Sequence, residues 1–233
     1  MIVSIHQPHF LPWPGYMNKL LRSDVFVWLD NVQYRKNYFQ NRTEIRTHRG
    51  ERAWLTVPVR APFGTPIDEV VAADSGWAER VRTRVEQEYH RAPHFAEAWP
   101  RLQAALVPDG DRLTDIDRRC LDALLGLLGG ARPRIVGIRE LGVTATDPTA
   151  RLVDACRALG ATRYIAGKGG RNYLDVEAFE KAGIEVVWQA FDPGLFVYPQ
   201  PGEPFLPGLS IIDCLFHAGA ETAGRLLRES WAP

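Results

Sequence analysis

The 233-residue sequence lacks a net charge, because its 28 Lys and Arg residues balance 28 Asp and Glu residues. A strongly basic surface that would attract nucleic acid or an anionic membrane is therefore not expected. No apolar run approaches the ~20 residues that a membrane-spanning helix needs. The first residues also lack a charged segment followed by a long apolar stretch. We expect a cytoplasmic protein that binds neither nucleic acid nor a membrane.

Cysteine is scarce. The three cysteines, Cys120, Cys156 and Cys214, cannot all pair, and their spacing matches neither a zinc knuckle nor a CxxC redox pair. Free thiols in a reducing compartment are therefore expected. We also expect no metal and no cofactor. Lysine is scarce as well, since it occurs only at positions 19, 36, 168 and 181.

Hydrophobic residues make up 45% of the chain and charged residues 24%, enough to bury a full core in a single domain over residues 1–233. Residues 2–6 form a short apolar run, and residues 7–14 follow with three prolines that exclude regular structure. Helical spacing at residues 15–22 and a second apolar run at 25–30 complete a βαβ unit. This unit predicts a parallel sheet.

The middle of the chain has a different pattern. Alternating residues between 40 and 59, interrupted at 48–51, predict an antiparallel hairpin, and a short strand is expected at 67–71. Amphipathic stretches at 77–89, 95–106 and 115–128 predict a helical insert over about residues 75–130. The insert contains no recognisable chemical motif.

Strands and helices then alternate again. Strands are predicted at 134–138, 163–166 and 184–188, with helices at 150–159 and 176–182. Residues 191–209 contain five prolines and predict an irregular loop, and a helix is expected at 211–227. The order favours an α/β fold: a mostly parallel sheet flanked by helices, with an antiparallel hairpin and a helical insert.

The first candidate site follows the first predicted strand. Ligands of open α/β sheets bind beyond the carboxyl ends of the strands, next to helix N-termini. His6 and His9 could transfer protons there, while Gln7 and Tyr16 could bind a substrate. The alternative is a proline-stiffened loop whose polar groups only cap the helix.

The second and third candidates follow the next strand. Asp30 should end on the same edge as His6 and could orient an imidazole as a third catalytic group, with Gln33 and Lys36 binding substrate. Asn41 and Arg42 could bind a carboxylate or a phosphate. A carboxylate that caps a turn and a surface arginine are the structural alternatives.

The fourth candidate is the glycine-rich segment 167–175. Lys168 and Gly169 could hold an anion, with Asn172 and Tyr173 nearby, although the segment matches no standard P-loop. A plain turn remains the alternative.

The fifth candidate lies on the last predicted helix, where Asp213, Cys214 and His217 fall on one polar stripe with Ser210. Asp213 could bind substrate, and Cys214 with His217 could act as nucleophile and base. Cysteines are usually buried, however, and Ser210 with Asp213 also resembles a helix-capping box.

These segments resemble the WbqC-like protein family along nearly the whole chain. The resemblance rests on HQPHFLPWPG at residues 6–15, DVFVWLD at 24–30, FQNR at 39–42, YIAG at 164–167, NYLD at 172–175 and LSIID at 209–213. It implies a role in surface-polysaccharide or natural-product biosynthesis, with acyl or aminoacyl transfer onto an amine. In the family the position of His6 can be Met and that of Cys214 is often aliphatic, which argues against a shared thiol nucleophile and against His6 as an indispensable base.

Our first hypothesis is a group transferase that moves an acyl or aminoacyl group from an activated donor, such as a carrier thioester, to an amine of a sugar or small metabolite. Its partners would be small molecules or carrier-bound substrates, and the sequence leaves the oligomeric state open. Three alternatives remain: an ATP-dependent activating enzyme, a Cys-His hydrolase and a non-enzymatic ligand-binding protein.

Overall fold

The computed structural model describes residues 1–110, 112–130 and 132–231. Its strands are β1 (Ile2–His6), β2 (Val25–Trp28), β3 (Arg42–Arg46), β4 (Arg52–Thr56), β5 (Val59–Arg60), β6 (Val71–Ala72), β7 (Arg134–Gly137), β8 (Arg163–Ala166) and β9 (Glu185–Trp188). Its α-helices are α1 (Pro14–Leu21), α2 (Trp77–Tyr89), α3 (Phe95–Ala105), α4 (Leu113–Leu128), α5 (Pro148–Ala158), α6 (Val176–Lys181) and α7 (Ile211–Glu229).

Five strands form the central sheet, in the order β7-β2-β1-β8-β9, and all of them are parallel. This confirms the predicted α/β fold. From β1 the chain proceeds through β2 to β7 on one side and through β8 to β9 on the other. The strand order therefore reverses between β1 and β8, and a crevice forms at such a switch point beyond the carboxyl ends of the strands.

The antiparallel hairpin is also confirmed. β3 and β4 pair from Arg42 opposite Thr56 to Arg46 opposite Arg52, so the interruption at 48–51 lies in the turn. The strand expected at residues 67–71 is wrong over most of its length. Residues Ile67–Glu69 form a 3₁₀ turn directly after Pro66, and only Val71 joins β6, which pairs with β5.

Two apolar cores cover the two faces of the sheet, because successive side chains of a strand point to opposite faces. Val3 and Ile5 of β1 pack with α5 and α6 in one core. In β2, Phe26 and Trp28 belong to the other core, with α1, α2, α3, α4 and α7. Alternation along β1 places His6 on the side opposite Val3 and Ile5, which is the α1 side.

The predicted helical insert corresponds to α2, α3 and α4, and α3 and α4 pack against α7. The predicted helix at 211–227 is present but bends at Gly219, whose φ is 82°. A Cβ at Gly219 would lie 2.9 Å from the His94 ring, so this close approach requires glycine. Among the helices of the described residues, none has the length and apolarity to cross a membrane.

Candidate functional site

The loop after β1 is held firmly in place. Phe10 donates its backbone N–H to Phe39 O at 3.0 Å. The carbonyl oxygen of Leu11, a residue with φ of 41°, accepts hydrogen bonds from the Oγ1 of Thr43 at 3.0 Å and the Oγ of Ser210 at 2.6 Å. The hairpin and the start of α7 therefore fix the loop that carries the two histidines.

Three rings pack together at the end of β1. The centroids of His6 and His9 lie 4.8 Å apart with the rings nearly perpendicular, and His9 stacks on Tyr16 at 4.9 Å. The Tyr16 hydroxyl accepts a hydrogen bond from Trp28 Nε1. Although His9 is only 4% exposed, neither of its ring nitrogens has a hydrogen-bond partner among the described residues. Such unpaired buried nitrogens call for an explanation.

The two histidines are uncharged near neutral pH. Burial, followed by the charge of Lys19, lowers the pKa of His6 to about 3. Burial also lowers the pKa of His9 well below its usual value. Nδ1 of His6 lies 3.0 Å from Gln7 O, which can only accept, so Nδ1 carries the hydrogen and Nε2 the lone pair.

Lys19 lies between these rings and the loop after β8. It is three residues after Tyr16, on the same face of α1. Its side chain is 3% exposed, and its Nζ donates to Ile5 O at 2.8 Å. A Cβ at Gly167 would lie 4.0 Å from that Nζ. Burial lowers the pKa of Lys19 to about 7, and no carboxylate within the described residues pairs with it.

Two adjoining cavities open at this edge of the sheet. The larger has a volume of about 620 Å³ and an aromatic wall that includes Trp13, Tyr16 and Phe191. The smaller, about 400 Å³, is lined by Gln7, Arg35 and Tyr173 among others. The wall that the two cavities share consists of His6, Lys19, Tyr38, Gly167 and Gly169. The cavities thus lie at the switch point between β1 and β8.

Seven of the sequence-predicted residues line these cavities. They are His6, Gln7, His9, Tyr16, Lys168, Gly169 and Tyr173. The two segments that contribute them follow β1 and β8, which are neighbours in the sheet although about 160 residues separate them in sequence. After β8, residues Lys168–Asn172 form a 3₁₀ turn, and Asn172 at its end is exposed and lines neither cavity.

Asp30 does not join the histidines as expected. No hydrogen bond or ion pair connects it to His6 or His9 within the described part of the chain. Its Oδ2 lies instead beside Gly137 of β7, 3.5 Å from the position that a Cβ on this glycine would occupy. Burial raises its pKa to about 6, and the charged groups that act on it are Asp68, Arg139 and Glu140. The chain leaves β2 at Trp28, so Asp30 turns toward the β7 side.

The residues predicted after β2 do not line the cavities, and two of them have structural contacts instead. Asn41 donates to Val57 O and accepts from the Tyr34 hydroxyl, so its amide is engaged in the local structure. Arg42 stacks on Trp54 at 3.9 Å and bonds to Asn37. Gln33 and Lys36 are exposed and line neither cavity.

The polar stripe on α7 is buried away from the cavities. Oδ1 of Asp213 accepts from the Tyr89 hydroxyl at 2.8 Å, and Oδ2 accepts from the Tyr198 hydroxyl at 2.7 Å and from Gln200 Nε2 at 3.0 Å. We call Asp213, Tyr89, Tyr198 and Gln200 the Asp213 cluster. The cluster connects the proline-rich loop and α2 to α7. Asp213 lines neither cavity, so its expected role in substrate binding has no support in this geometry.

The thiol alternative loses its support. Cys214 has no exposed surface, and burial raises the pKa of its thiol well above the usual range. His217 lies 3.9 Å from Asp213, with its ring against Tyr89. Ser210 caps α7 by accepting from Ile212 N–H, but Asp213 does not complete the expected capping box, because its carboxylate accepts from Tyr89, Tyr198 and Gln200.

Sequence reasoning missed Lys19, Arg35, Tyr38 and Gln189. Gln189 follows β9 and donates to Gly15 O at 2.7 Å, which links the far side of the sheet to α1. Among these four, only Lys19 had a signal in the sequence that could have indicated a site residue, because it lies among the apolar residues Tyr16, Met17 and Leu20 of a short helix. A lysine there normally extends to solvent, and this one does not.

The chain matches the WbqC-like protein family over residues 7–224. It belongs to this family. The uncharacterized protein Rv1507c of Mycobacterium tuberculosis is a relative with 33% identity over 222 residues, which cover 94% of each chain. No solved structure matches. The WbqC-like match includes Gln7, His9, Lys19 and the loop after β8, and so covers both cavities apart from the residues before position 7.

Proposed function

We propose that this WbqC-like protein is a group transferase, which moves an acyl or aminoacyl group from an activated donor, such as a carrier thioester, to an amine of a sugar or small metabolite. The observation that carries the proposal is the pair of adjoining cavities with a shared wall of His6, Lys19, Tyr38, Gly167 and Gly169. One substrate can occupy each cavity, and their reacting groups can meet beside the residues that line both cavities.

The chemistry needs no covalent intermediate with the protein. The amine nitrogen attacks the carbonyl carbon of the thioester, a C–N bond forms, and the C–S bond breaks to release a thiolate. The amine proton passes to Nε2 of His6 and from there to the thiolate. His6 suits this role because Gln7 O fixes the hydrogen on Nδ1, which leaves the lone pair on Nε2.

The charge of Lys19 is the second cause of the low pKa of His6, after burial. An anionic group of a substrate beside Lys19 offsets that charge and so raises the basicity of His6 when the substrate binds. Burial, the larger cause, remains when a substrate binds, so His6 is a weak base in both states but a stronger one in the complex than in the empty site.

Gln7 is oriented to stabilise the carbonyl oxygen. Its Oε1 accepts a hydrogen bond from Gln40 Nε2 at 2.8 Å, and its Nε2, which has no acceptor among the described residues, can donate to that oxygen. Lys168, at the exposed rim of the larger cavity, adds a positive charge. Asn41, which we also expected in this role, is engaged by Val57 and Tyr34.

The test uses coenzyme A thioesters of acyl and aminoacyl groups, each with amino sugars and small diamines as acceptors. We expect thiol release that requires both partners, and a product whose mass exceeds that of the amine by the acyl group. His6→Gln should lower the rate at least ~100-fold, while exposed His90→Gln should not. Thiol release without an amine would instead indicate a hydrolase and contradict the proposal.

A second candidate is an ATP-dependent activating enzyme. The strand order β7-β2-β1-β8-β9 favours it, because doubly wound sheets with this order bind nucleotides at the same switch point. Exchange of labelled pyrophosphate into ATP in the presence of amino acids, lost in Lys168→Met, would favour this candidate over direct transfer.

A further inference from the structure

The smaller cavity has an unbalanced charge. Its wall contains the cations Lys19 and Arg35 and, among the residues that the structure describes, no aspartate or glutamate. The larger cavity also contains Lys19 and has Lys168 at its rim, but it includes a carboxylate, Glu44, which pairs with Arg52 at 2.7 Å. In a chain with zero net charge, two cations without an acidic neighbour in one cavity indicate an anionic ligand.

Lys19 is the buried member of this pair. An ammonium group has three donors, and Lys19 uses one of them on Ile5 O. Its burial without a carboxylate is unfavourable, and for this reason its pKa falls to about 7. An anion in the cavity would satisfy the remaining donors and favour the charged form.

One buried side chain positions Arg35 in the smaller cavity and also contacts Gln7. Gln40 has no exposed surface; its Oε1 accepts from the backbone N–H of Arg35 at 2.9 Å, and its Nε2 donates to Gln7. The guanidinium of Arg35 lies 4.7 Å from the centroid of the Tyr38 ring, on the shared wall. The bond from Gln40 fixes the backbone of Arg35, and the Tyr38 ring orients its exposed guanidinium, which lowers the entropic cost of binding.

The loop after β8 leaves room for an anion beside Lys19. A Cβ at Gly169 would meet nothing within 4 Å, so the backbone borders open space there. With about 400 Å³, the smaller cavity falls within the size range of small-ligand sites. The remainder of a longer ligand can extend along the aromatic wall of the larger cavity.

We propose that the smaller cavity is a subsite for the phosphate or pyrophosphate group of a phosphorylated donor, held by Lys19 and Arg35. The role of the ligand as a donor rests on the proposed group transfer, but the existence of the anion subsite does not. A nucleotide and coenzyme A both carry this chemistry, and the experiment separates the two sources.

Other titratable side chains around Lys19 could also exchange protons when an anion binds. In the smaller cavity they are His6, Arg35, Tyr38, Tyr164 and Tyr173. In the larger cavity they are His9, Tyr16, Glu44, Arg52 and Lys168. At pH 8, His6 and His9 are uncharged because their pKa values are lowered. Comparison with a Lys19 variant isolates the contribution of that residue from all the others.

The experiment is isothermal titration calorimetry of the full chain at pH 8 with pyrophosphate, ATP and coenzyme A, in two buffers of different ionisation enthalpy. We expect pyrophosphate to bind with uptake of up to about one proton. Lys19→Met should weaken binding at least ~10-fold and abolish the uptake, and Arg35→Met should weaken it by a similar factor. Lys19→Arg, if folded, should bind without proton uptake, since arginine stays charged.

Lys181→Met and Arg91→Met are the matched controls, because both side chains are exposed and lie outside the two cavities. Tighter binding of ATP or of coenzyme A than of pyrophosphate identifies the source of the phosphate. Equal binding by wild type, Lys19→Met and Arg35→Met, or no binding of any probe at millimolar concentration, would overturn the proposal. Because the readout needs no turnover, pyrophosphate binding without acyl transfer would refute only the proposed reaction.

Discussion

The cleft at the switch point and the Asp213 cluster are both buried and polar, but their hydrogen bonding differs. In the Asp213 cluster each carboxylate oxygen accepts from at least one neighbour, and Oδ2 accepts from two. In the cleft, both nitrogens of His9 lack a partner among the described residues, and Lys19 bonds only to Ile5 O. A satisfied network fixes the fold, whereas unsatisfied groups beside a cavity are available to a ligand.

The strongest test of this contrast is Asp213→Ala. It removes the acceptor for three donors, from Tyr89, Tyr198 and Gln200, in a fully buried place. We expect the free energy of unfolding to fall by about 3 kcal/mol, measured by urea unfolding followed through tryptophan fluorescence.

Asp122→Ala is the control, since it removes an exposed ion pair with Arg118 and should cost less than about 0.5 kcal/mol. Pyrophosphate binding by folded Asp213→Ala should equal that of the wild type. If instead Asp213→Ala lost less than about 1 kcal/mol, the structural role of the cluster would be wrong.

Lys19→Met should act in the opposite direction. Since folding lowers the pKa of Lys19 to about 7, the unfolded chain binds more protons above that pH, and the stability of the wild type rises from about pH 7 toward pH 10. The Met variant lacks this rise. At pH 6 it should therefore be more stable than wild type by about 1 kcal/mol, after the loss of the bond to Ile5 O.

Urea unfolding at pH 6, 8 and 10 measures the effect. The gain of Lys19→Met should shrink at each higher pH, because neutralisation of the wild-type lysine removes the cost of its burial. His6 and His9 titrate below this window and do not interfere. Parallel pH profiles for wild type and Lys19→Met would show that the ammonium is not buried unpaired in solution.

Much of the fold followed from the sequence because strands and helices have different apolar periods. The short apolar runs before His6 and Asp30, and the helical spacing of α5 and α7, were sufficient to predict an α/β fold with a parallel sheet. The strand order was not predictable. Pairing of β1 with β8 joins residues about 160 positions apart, and tertiary packing decides it.

The candidate site followed from the sequence only in part. His6, Gln7 and Gly169 were found because polar or glycine residues directly follow apolar runs. Lys19 was missed because a lysine in a helix is expected at the surface. The contact expected of Asp30 failed for another reason: parallel pairing aligns the ends of β1 and β2, but it does not fix the direction of a side chain after the strand has ended.

The smallest expected effect is that of His9→Phe. Phenylalanine keeps the stacking on Tyr16 and removes two buried nitrogens that have no partner within the described residues, so the free energy of unfolding should fall by no more than about 0.5 kcal/mol. Tyr89→Phe is the matched change in the Asp213 cluster. It removes a hydroxyl that donates to Asp213 and accepts from Arg46 N–H, and should cost about 1–2 kcal/mol. Urea unfolding of both variants at pH 7 compares the two regions directly. If His9→Phe proved as costly as Tyr89→Phe, the nitrogens of His9 would have hydrogen-bond partners in solution. The contrast between the cleft and the Asp213 cluster would then be wrong for His9, the residue on which it depends most.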